Sequence, residues 1–280
     1  MSDRLEALLD RYSVSAQVFH TGALCGANEV PAAPGSGHLH LLRAGTLEVA
    51  HGDGVLRRID EPSLLLYPAG MPHRFVTDAR HGADLACAYL RFEDGAANPI
   101  AAALPEFCCV PLREIDGAPG VLALLFEEAA SHRCGRRAML DRLFEVVLIQ
   151  LLRHLMEGGA VQGGMLAGMA HPRLRHALVA LHQDPARPWT LQAMASQAGM
   201  SRSVFANVFR ATVGCTPAAY LQSWRLGLAR QALRRGRALK LIAAEMGYGS
   251  EAALSRAFKA QGGLAPRQWR QAHGEDAAPA

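Results

Sequence analysis

Met194-Ala195-x-x-Ala198-Gly199 recurs as Ile242-Ala243-x-x-Met246-Gly247, and Phe205-x-x-x-Phe209 with Gly214-x-x-Pro217-x-x-Tyr220 recurs as Leu254-x-x-x-Phe258 with Gly263-x-x-Pro266-x-x-Trp269. The spacing is 48 to 49 residues throughout. An apolar half-turn, a glycine, a capping serine and a second apolar helix make up a helix-turn-helix, so its recurrence predicts two such modules in tandem. In the first, Thr190 caps a helix that buries Leu191, Met194, Ala195 and Ala198. Gly199 turns the chain, and Ser201 caps a helix running from Arg202 to about Thr212. Val204, Phe205, Val208 and Phe209 make its inner face, which leaves Ser203, Asn207 and Arg210 as a polar stripe of the kind that enters a major groove. In the second, Leu241, Ile242 and Met246 are expected inside, Gly247 to Gly249 turn, Ser250 caps, and Glu251 to about Ala260 is the reading helix. Leu254, Ala257 and Phe258 point inward there, with Ala252, Ser255, Arg256 and Lys259 outward. The stretch from Ala218 to Arg235 reads as one helix between the modules. Its length, about 27 Å at 1.5 Å per residue, is comparable with the ~34 Å between successive major grooves.

Charge follows the same division. The chain has 280 residues and a net charge of +4, yet residues 171–273 carry 15 Lys and Arg against 3 Asp and Glu, and residues 1–170 carry 14 against 20. Arginine dominates the basic segment, where only Lys240 and Lys259 are lysines. Guanidinium forks match phosphate oxygens, and clustered cations release counterions from DNA. Arg202, Arg210 and Lys259 are assigned mainly to phosphates, and Ser203, Asn207 and Arg256 to base edges. No apolar run is long enough to span a bilayer, and the start has no secretory pattern, so a cytoplasmic protein without a membrane partner is expected. The six cysteines are expected to be reduced, without C-x-x-C spacing.

Upstream, short segments from about Val14 to Phe92 alternate with turns: 38–42, 46–50, 55–59, 62–67 and 84–92, with 51–54 as one turn. This spacing predicts a β-sandwich or small barrel. Between Ala118 and Met156 the period becomes helical. Leu122, Leu125 and Phe126 share one face, and Leu140, Leu143, Phe144, Val147, Leu148, Leu151, Leu152 and Leu155 form a broad stripe for packing on the barrel or for dimerisation. The division is therefore 1–156 sensor and dimerisation domain, 157–170 Gly-rich linker, 171–273 DNA-binding domain and 274–280 tail. The fold class is α+β: a β-barrel domain followed by an all-α double helix-turn-helix.

The residues of the second half carry a specific resemblance. Trp189-Thr190-Leu191, Ala198-Gly199-Met200-Ser201, Phe205-x-x-x-Phe209-Arg210, Gly214-Cys215-Thr216-Pro217, Trp224-Arg225-Leu226, Gly247-Tyr248-Gly249-Ser250-Glu251, Arg256-Ala257-Phe258-Lys259 and Pro266-Arg267-Gln268-Trp269 resemble the DNA-binding domain of AraC/XylS-type transcription regulators over about His171 to Arg270. Asn207, where relatives often carry Arg, and Leu254, in place of a frequent Phe, depart from that pattern.

The first half is similar to the cupin-type effector domains of the same family at His40-Leu41-Leu42-x-x-Gly45 and Pro68-x-Gly70-x-x-His73. Many cupins hold a metal with an H-x-H strand, a glutamate and a later histidine. His38, His40 and His73 stand in those places, but the glutamate is missing, and Glu48 lies too far along. Three imidazoles remain sufficient for an open zinc site, although the default expectation is no cofactor. A cupin-bearing subset of the family responds to oxidants through cysteines, and Leu24-Cys25-Gly26 with Cys87-Ala88-Tyr89-Leu90-Arg91 resembles it. That resemblance implies Cys25 and Cys87 as redox candidates, beside a small-molecule effector as the other signal.

The expected function is sequence-specific regulation of transcription, not catalysis, with promoter DNA, RNA polymerase and a second copy of the chain as partners. A metal-dependent cupin enzyme tethered by its helical half is the alternative. The absence of a base and nucleophile constellation disfavours it. A non-DNA adaptor is disfavoured by the charge asymmetry.

Overall fold

The computed structural model describes residues 3–33, 35–51, 54–95, 98–158 and 163–273. The tip of the expected 51–54 turn, part of the expected linker (159–162) and the 274–280 tail lie outside them. Contacts divide the chain into two compact units, one of Tyr12–Val161 and one that joins Met1–Arg11 to Gln162–Ala280.

The first unit is a pair of antiparallel sheets. β1 (Val14–Leu24), β8 (Ala83–Phe92), β3 (Ser36–Ala44), β6 (Ser63–Tyr67) and β9 (Cys108–Pro111) lie side by side in that order. β2 (Ala27–Val30), β7 (His73–Val76), β4 (Leu47–His51) and β5 (Val55–Ile59) form the second sheet in the order β2, β7, β4, β5. Alternation along each strand sends Leu42, Leu65, Leu85 and Cys87 of one sheet against Leu47, Val49 and Phe75 of the other, giving a shared core. Three helices complete the unit: α2 (Pro99–Ala103), α3 (Pro119–Ala130) and α4 (Arg136–Glu157). All eight residues of the apolar stripe on α4 are buried, and the helix packs on α3 and on β1. Burying each such side chain contributes roughly 1.5–3 kcal/mol. The stripe, expected either to pack on the barrel or to form a dimer seam, is thus engaged inside the unit, and Met139 and Val146 are the large apolar residues α4 leaves exposed.

The second unit opens with α1 (Glu6–Leu9), which buries Leu8, follows the buried cap residue Leu5 and packs on α6 (Leu174–Gln183). Arg11 Nη2 donates to the carbonyl of Gln183 at 3.3 Å. Residues 3–11, expected with the sensor domain, therefore pack in the helical unit. Part of the expected linker also differs. Residues 164–170 form α5 (Gly164–Ala170), with Met165, Leu166 and Met169 buried against α6 and α8. Glycine content suggested flexibility, but three large apolar side chains in seven residues have a core to enter.

The remaining helices are α7 (Leu191–Gln197), α8 (Arg202–Val213), α9 (Pro217–Arg234), α10 (Leu239–Glu245), α11 (Glu251–Gly262) and α12 (Pro266–His273). The sequence repeat reappears as repeated contacts. Phe209 meets the edge of Tyr220 at 5.6 Å and 73°, and Phe258 meets Trp269 at 5.8 Å and 74°. Both turns need a positive φ, +60° at Gly199 and +73° at Gly247. Gly199 has open space where a Cβ would stand, except for the Arg173 guanidinium at 3.7 Å, whereas at Gly247 a Cβ would collide with the carbonyl of Ala186. Gly199→Ala is expected to lower stability by about 1 kcal/mol from backbone strain alone, and Gly247→Ala by several-fold more. Urea unfolding of the two variants checks the order, and equal losses would refute the steric account.

Candidate nucleic-acid interface and histidine chamber

Local chemistry places the two reading helices. Ser201 Oγ accepts from the amide of Val204 at 3.4 Å, and Ser250 Oγ accepts from Ala253 at 3.1 Å, so each serine starts its helix as expected. The inner faces close on Phe205 and Phe209 in α8 and on Leu254 and Phe258 in α11, all fully buried. Arg202, Ser203, Asn207 and Arg210 of α8, and Arg256 and Lys259 of α11, are exposed, while Ser255 is half-buried. Among the described residues none of Arg202, Arg210, Arg256 and Lys259 has an acidic partner, so their charge faces solvent.

Three apolar residues expected inside lie outside. Leu191 is 39% exposed, Val204 47% and Leu241 56%. Val204 and Leu241 sit off the buried arcs of their helices, whereas Leu191 is the first residue of α7. Leu191 lines a cleft of about 590 Å³ with Asn207, Arg210, Leu221 and Tyr248.

Arg225, in the Trp224-Arg225-Leu226 motif, has a role that local sequence does not disclose. Its Nε donates to the carbonyl of Pro185 at 2.7 Å, its Nη2 to that of Arg187 at 2.9 Å, and its guanidinium lies 5.9 Å from the ring centroid of Tyr248. One side chain of the connecting helix thus ties the loop before α7 to the turn between α10 and α11. Burial lowers its pKa from the ordinary arginine value. Near it, His182 is fully buried, stacks on Trp224 at 4.0 Å and bonds the Tyr220 hydroxyl at 2.7 Å.

In the first unit, alternation on β3 and β7 turns His38, His40 and His73 into the space between the sheets. All three are buried, with ring nitrogens within 4.8 Å of one another. His73 Nδ1 contacts the carbonyl of Met71 at 2.9 Å, which requires a proton on that nitrogen. His73 Nε2 then carries the lone pair and accepts from His40 Nε2 at 3.0 Å. Both ring nitrogens of His38 and Nδ1 of His40 have no protein partner. Tyr67 stacks on His73 at 4.0 Å, and its hydroxyl reaches His51 Nδ1 at 3.3 Å. Burial lowers the pKa of all three histidines, to about 4 at His73, with mutual repulsion adding to the effect at His40 and His73. They are neutral at pH 7, with lone pairs available. Glu48 lies on the opposite face of β4 from Leu47 and Val49, so it does not replace the missing carboxylate, and among the described residues the cluster consists of the three histidines.

The cysteine pair is not assembled. β1 and β8 match Leu24 with Ala83 and His20 with Cys87. Cys25 therefore lies beside Gly82, five residues along β8 from Cys87, which is about 16 Å at ~3.3 Å per residue. Disulfide closure requires Cα atoms within about 7 Å. Cys25 is exposed, while Cys87 is buried and its thiol is pushed far above the usual range by desolvation. Sequence resemblance carried no information about strand register, and the register separates the two thiols.

A paired-sheet domain with a polar chamber and a helical domain with two exposed, cationic reading helices define a class of two-part DNA-reading proteins. The Cupin family model matches residues 3–157, and the Helix-turn-helix domain model matches residues 194–272. The transcriptional regulator AlkR of Acinetobacter baylyi is 30% identical over 266 residues, covering 83% of this chain and 87% of AlkR. A putative AraC-like transcription regulator of Streptomyces lividans is 41% identical over 152 residues, covering 54% of this chain and 50% of the relative, so that match spans about half the relative's length. Among solved structures, ToxT from Vibrio cholerae O395 aligns over 93% of this chain and 97% of its own, with 10% identity and a TM-score of 0.39. The chain belongs to the AraC-type family of helix-turn-helix transcription regulators and carries a cupin domain ahead of the DNA-binding modules. No helix among the described residues is long and apolar enough to cross a membrane.

The buried imidazoles give both units an acid sensitivity of known sign. An unfolded chain protonates histidine near 6.5, whereas the folded chain holds His73 neutral to about 4 and His182 to about 3. Stability is therefore complete above 6.5 and declines as pH falls toward those values, by up to ~1.4 kcal/mol per pH unit for each group. Urea midpoints between pH 7.5 and 5 are expected to fall. His182→Phe should flatten the slope of the helical unit, and an unchanged slope would assign it to other groups.

Proposed function

We propose that this chain is a sequence-specific transcription regulator in which α8 and α11 enter consecutive major grooves of one promoter duplex. The observation that carries this reading is the paired set of unpartnered cations and polar side chains on two serine-capped helices, joined by the 18-residue α9. Arg202, Arg210 and Lys259 bind phosphates, while Ser203, Asn207 and Arg256 read base edges; Ser255, half-buried, contributes less. The chain acts in the cytoplasm without catalysing a reaction and addresses RNA polymerase from the bound promoter. Homodimer contact falls on the face of α4 that exposes Met139 and Val146. On a site selected from random-sequence DNA, Asn207→Ala and Arg256→Ala are expected to weaken binding roughly 5- to 150-fold, about 1–3 kcal/mol, with little change on unselected DNA. Arg202→Ala and Lys259→Ala are expected to weaken both and to reduce the salt slope by about 1. Fluorescence anisotropy measures all of these. No DNA binding at low salt would overturn the reading.

The signal enters through the histidine chamber. Two orphaned ring nitrogens on His38, and a His73 oriented by a backbone carbonyl, suit a divalent transition metal of zinc type held by His38, His40 and His73. Bound there, the metal would cross-link the two sheets and keep one position open for an effector. Dialysis against cobalt(II) or zinc(II) should leave one ion per chain, lost in the His38→Ala/His40→Ala double variant. Absence of stoichiometric metal would remove this input and leave a metal-free effector.

A further inference from the structure

The pairing of β1 with β8 skips one residue, because Val18 faces Ala88 and His20 faces Cys87, which leaves Phe19 as the extra residue of a β-bulge. The bulge gives Phe19 an unusual position. It is 39% exposed, yet its ring lies 4.4 Å from Tyr89 and meets His40 edge-on at 6.1 Å. Tyr89 in turn lies 5.5 Å from His38. The Phe19 and Tyr89 rings therefore form a wall with solvent on one side and the buried imidazoles on the other. Outside that wall is a cleft of about 350 Å³, lined by residues 17–21 with Tyr89, Arg136, Arg137 and Leu140.

The strand bearing the bulge is an edge strand, and α4 holds its free edge. The amide of Ala16 donates to Glu145 Oε1 at 3.2 Å, and that of Val18 to Asp141 Oδ1 at 2.7 Å. Beyond the bulge, Arg136 Nη2 donates to Thr21 Oγ1 at 2.7 Å and to the carbonyl of Ala129 at 2.6 Å. Phe19 thus stands between two anchors to one helix, three residues apart. The ring can leave the wall by rotation about χ1 alone, or together with the peptide planes of the bulge, where the ladder is interrupted. Only the second route turns the Val18 amide away from Asp141.

We propose that Phe19 is the plug of the histidine chamber, and that it swings outward together with the peptide planes of the bulge, which loosens the Val18–Asp141 bond, so that filling or emptying the chamber is felt on α4. This rests on the chamber being the signal site. It adds the entry route and the mechanical link, neither of which the metal-holding residues supply.

Two readouts separate the plug from the metal. Diethyl pyrocarbonate modifies accessible neutral imidazoles and is scored by mass spectrometry on the peptides carrying His38, His40 and His73, with the exposed His81 and His132 as internal references. Phe19→Ala, which truncates a partly exposed side chain, is expected to raise the chamber rates at least tenfold and leave the references unchanged. Asp141→Asn, which keeps Phe19 but weakens its anchor, is expected to raise them as well and to speed hydrogen exchange over residues 14–24. Cobalt(II) uptake, followed by its visible absorption, should be at least tenfold faster in Phe19→Ala, with the same final stoichiometry. Chamber histidines equally protected in wild type and Phe19→Ala would overturn the plug even if cobalt binds. Faster modification without cobalt binding would uphold the plug and remove the metal. Protection unchanged in Asp141→Asn would overturn the link to α4.

Discussion

The guanidinium of Arg225 bonds two backbone carbonyls before α7 and lies against the ring of Tyr248 beyond α10, so it fixes the two helix-turn-helix modules as one body. Two reading helices on one polypeptide serve a single duplex only when their separation is held constant. A continuous α9 sets the distance, and a side chain from its middle sets the orientation. The contact suits arginine in particular, because a planar fork satisfies two carbonyls while its face meets an aromatic ring, which an ammonium group cannot do. The crowding at Gly247 belongs to the same constraint, since Ala186 and Arg225 occupy the space that a side chain there would need.

The first unit solves a different problem. Its sheets enclose polar imidazoles that a purely structural core would avoid, because buried ring nitrogens without partners are destabilising by about 1–3 kcal/mol each. The protein holds them in a chamber walled by Tyr67, Phe75 and Tyr89. The edge strand beside it is held by carboxylates of α4, the longest helix of the unit, so a small change in the wall has a rigid element to act upon.

The sequence was most legible where physics is local. Serine caps, turn glycines and the apolar spacing of the repeat depend on residues within four or five positions of one another, and Ser201, Ser250, Phe205, Phe209, Leu254 and Phe258 all take the places that spacing assigns. The three histidines were legible for a related reason, since alternation along β3 and the resemblance at the second motif both put them in one space. Local spacing loses its hold at the margins of elements. Leu191, Val204 and Leu241 fit an apolar spacing but lie at a helix start or off the buried arc, and the glycines of 163–168 masked a helix whose methionines and leucine reach a core.

By itself the sequence determined a duplicated DNA-reading module, a strand-rich domain ahead of it and a basic second half, because periodicity, capping and charge are properties of short segments. Strand register decided the rest: it separated Cys25 from Cys87, raised Phe19 on a bulge and set β1 against Asp141 and Glu145. It also took packing to carry α1 onto α6 and to aim Arg225 at carbonyls some forty positions earlier in the chain. Such contacts join segments far apart in the chain, and their free energy depends on distances that no local pattern encodes.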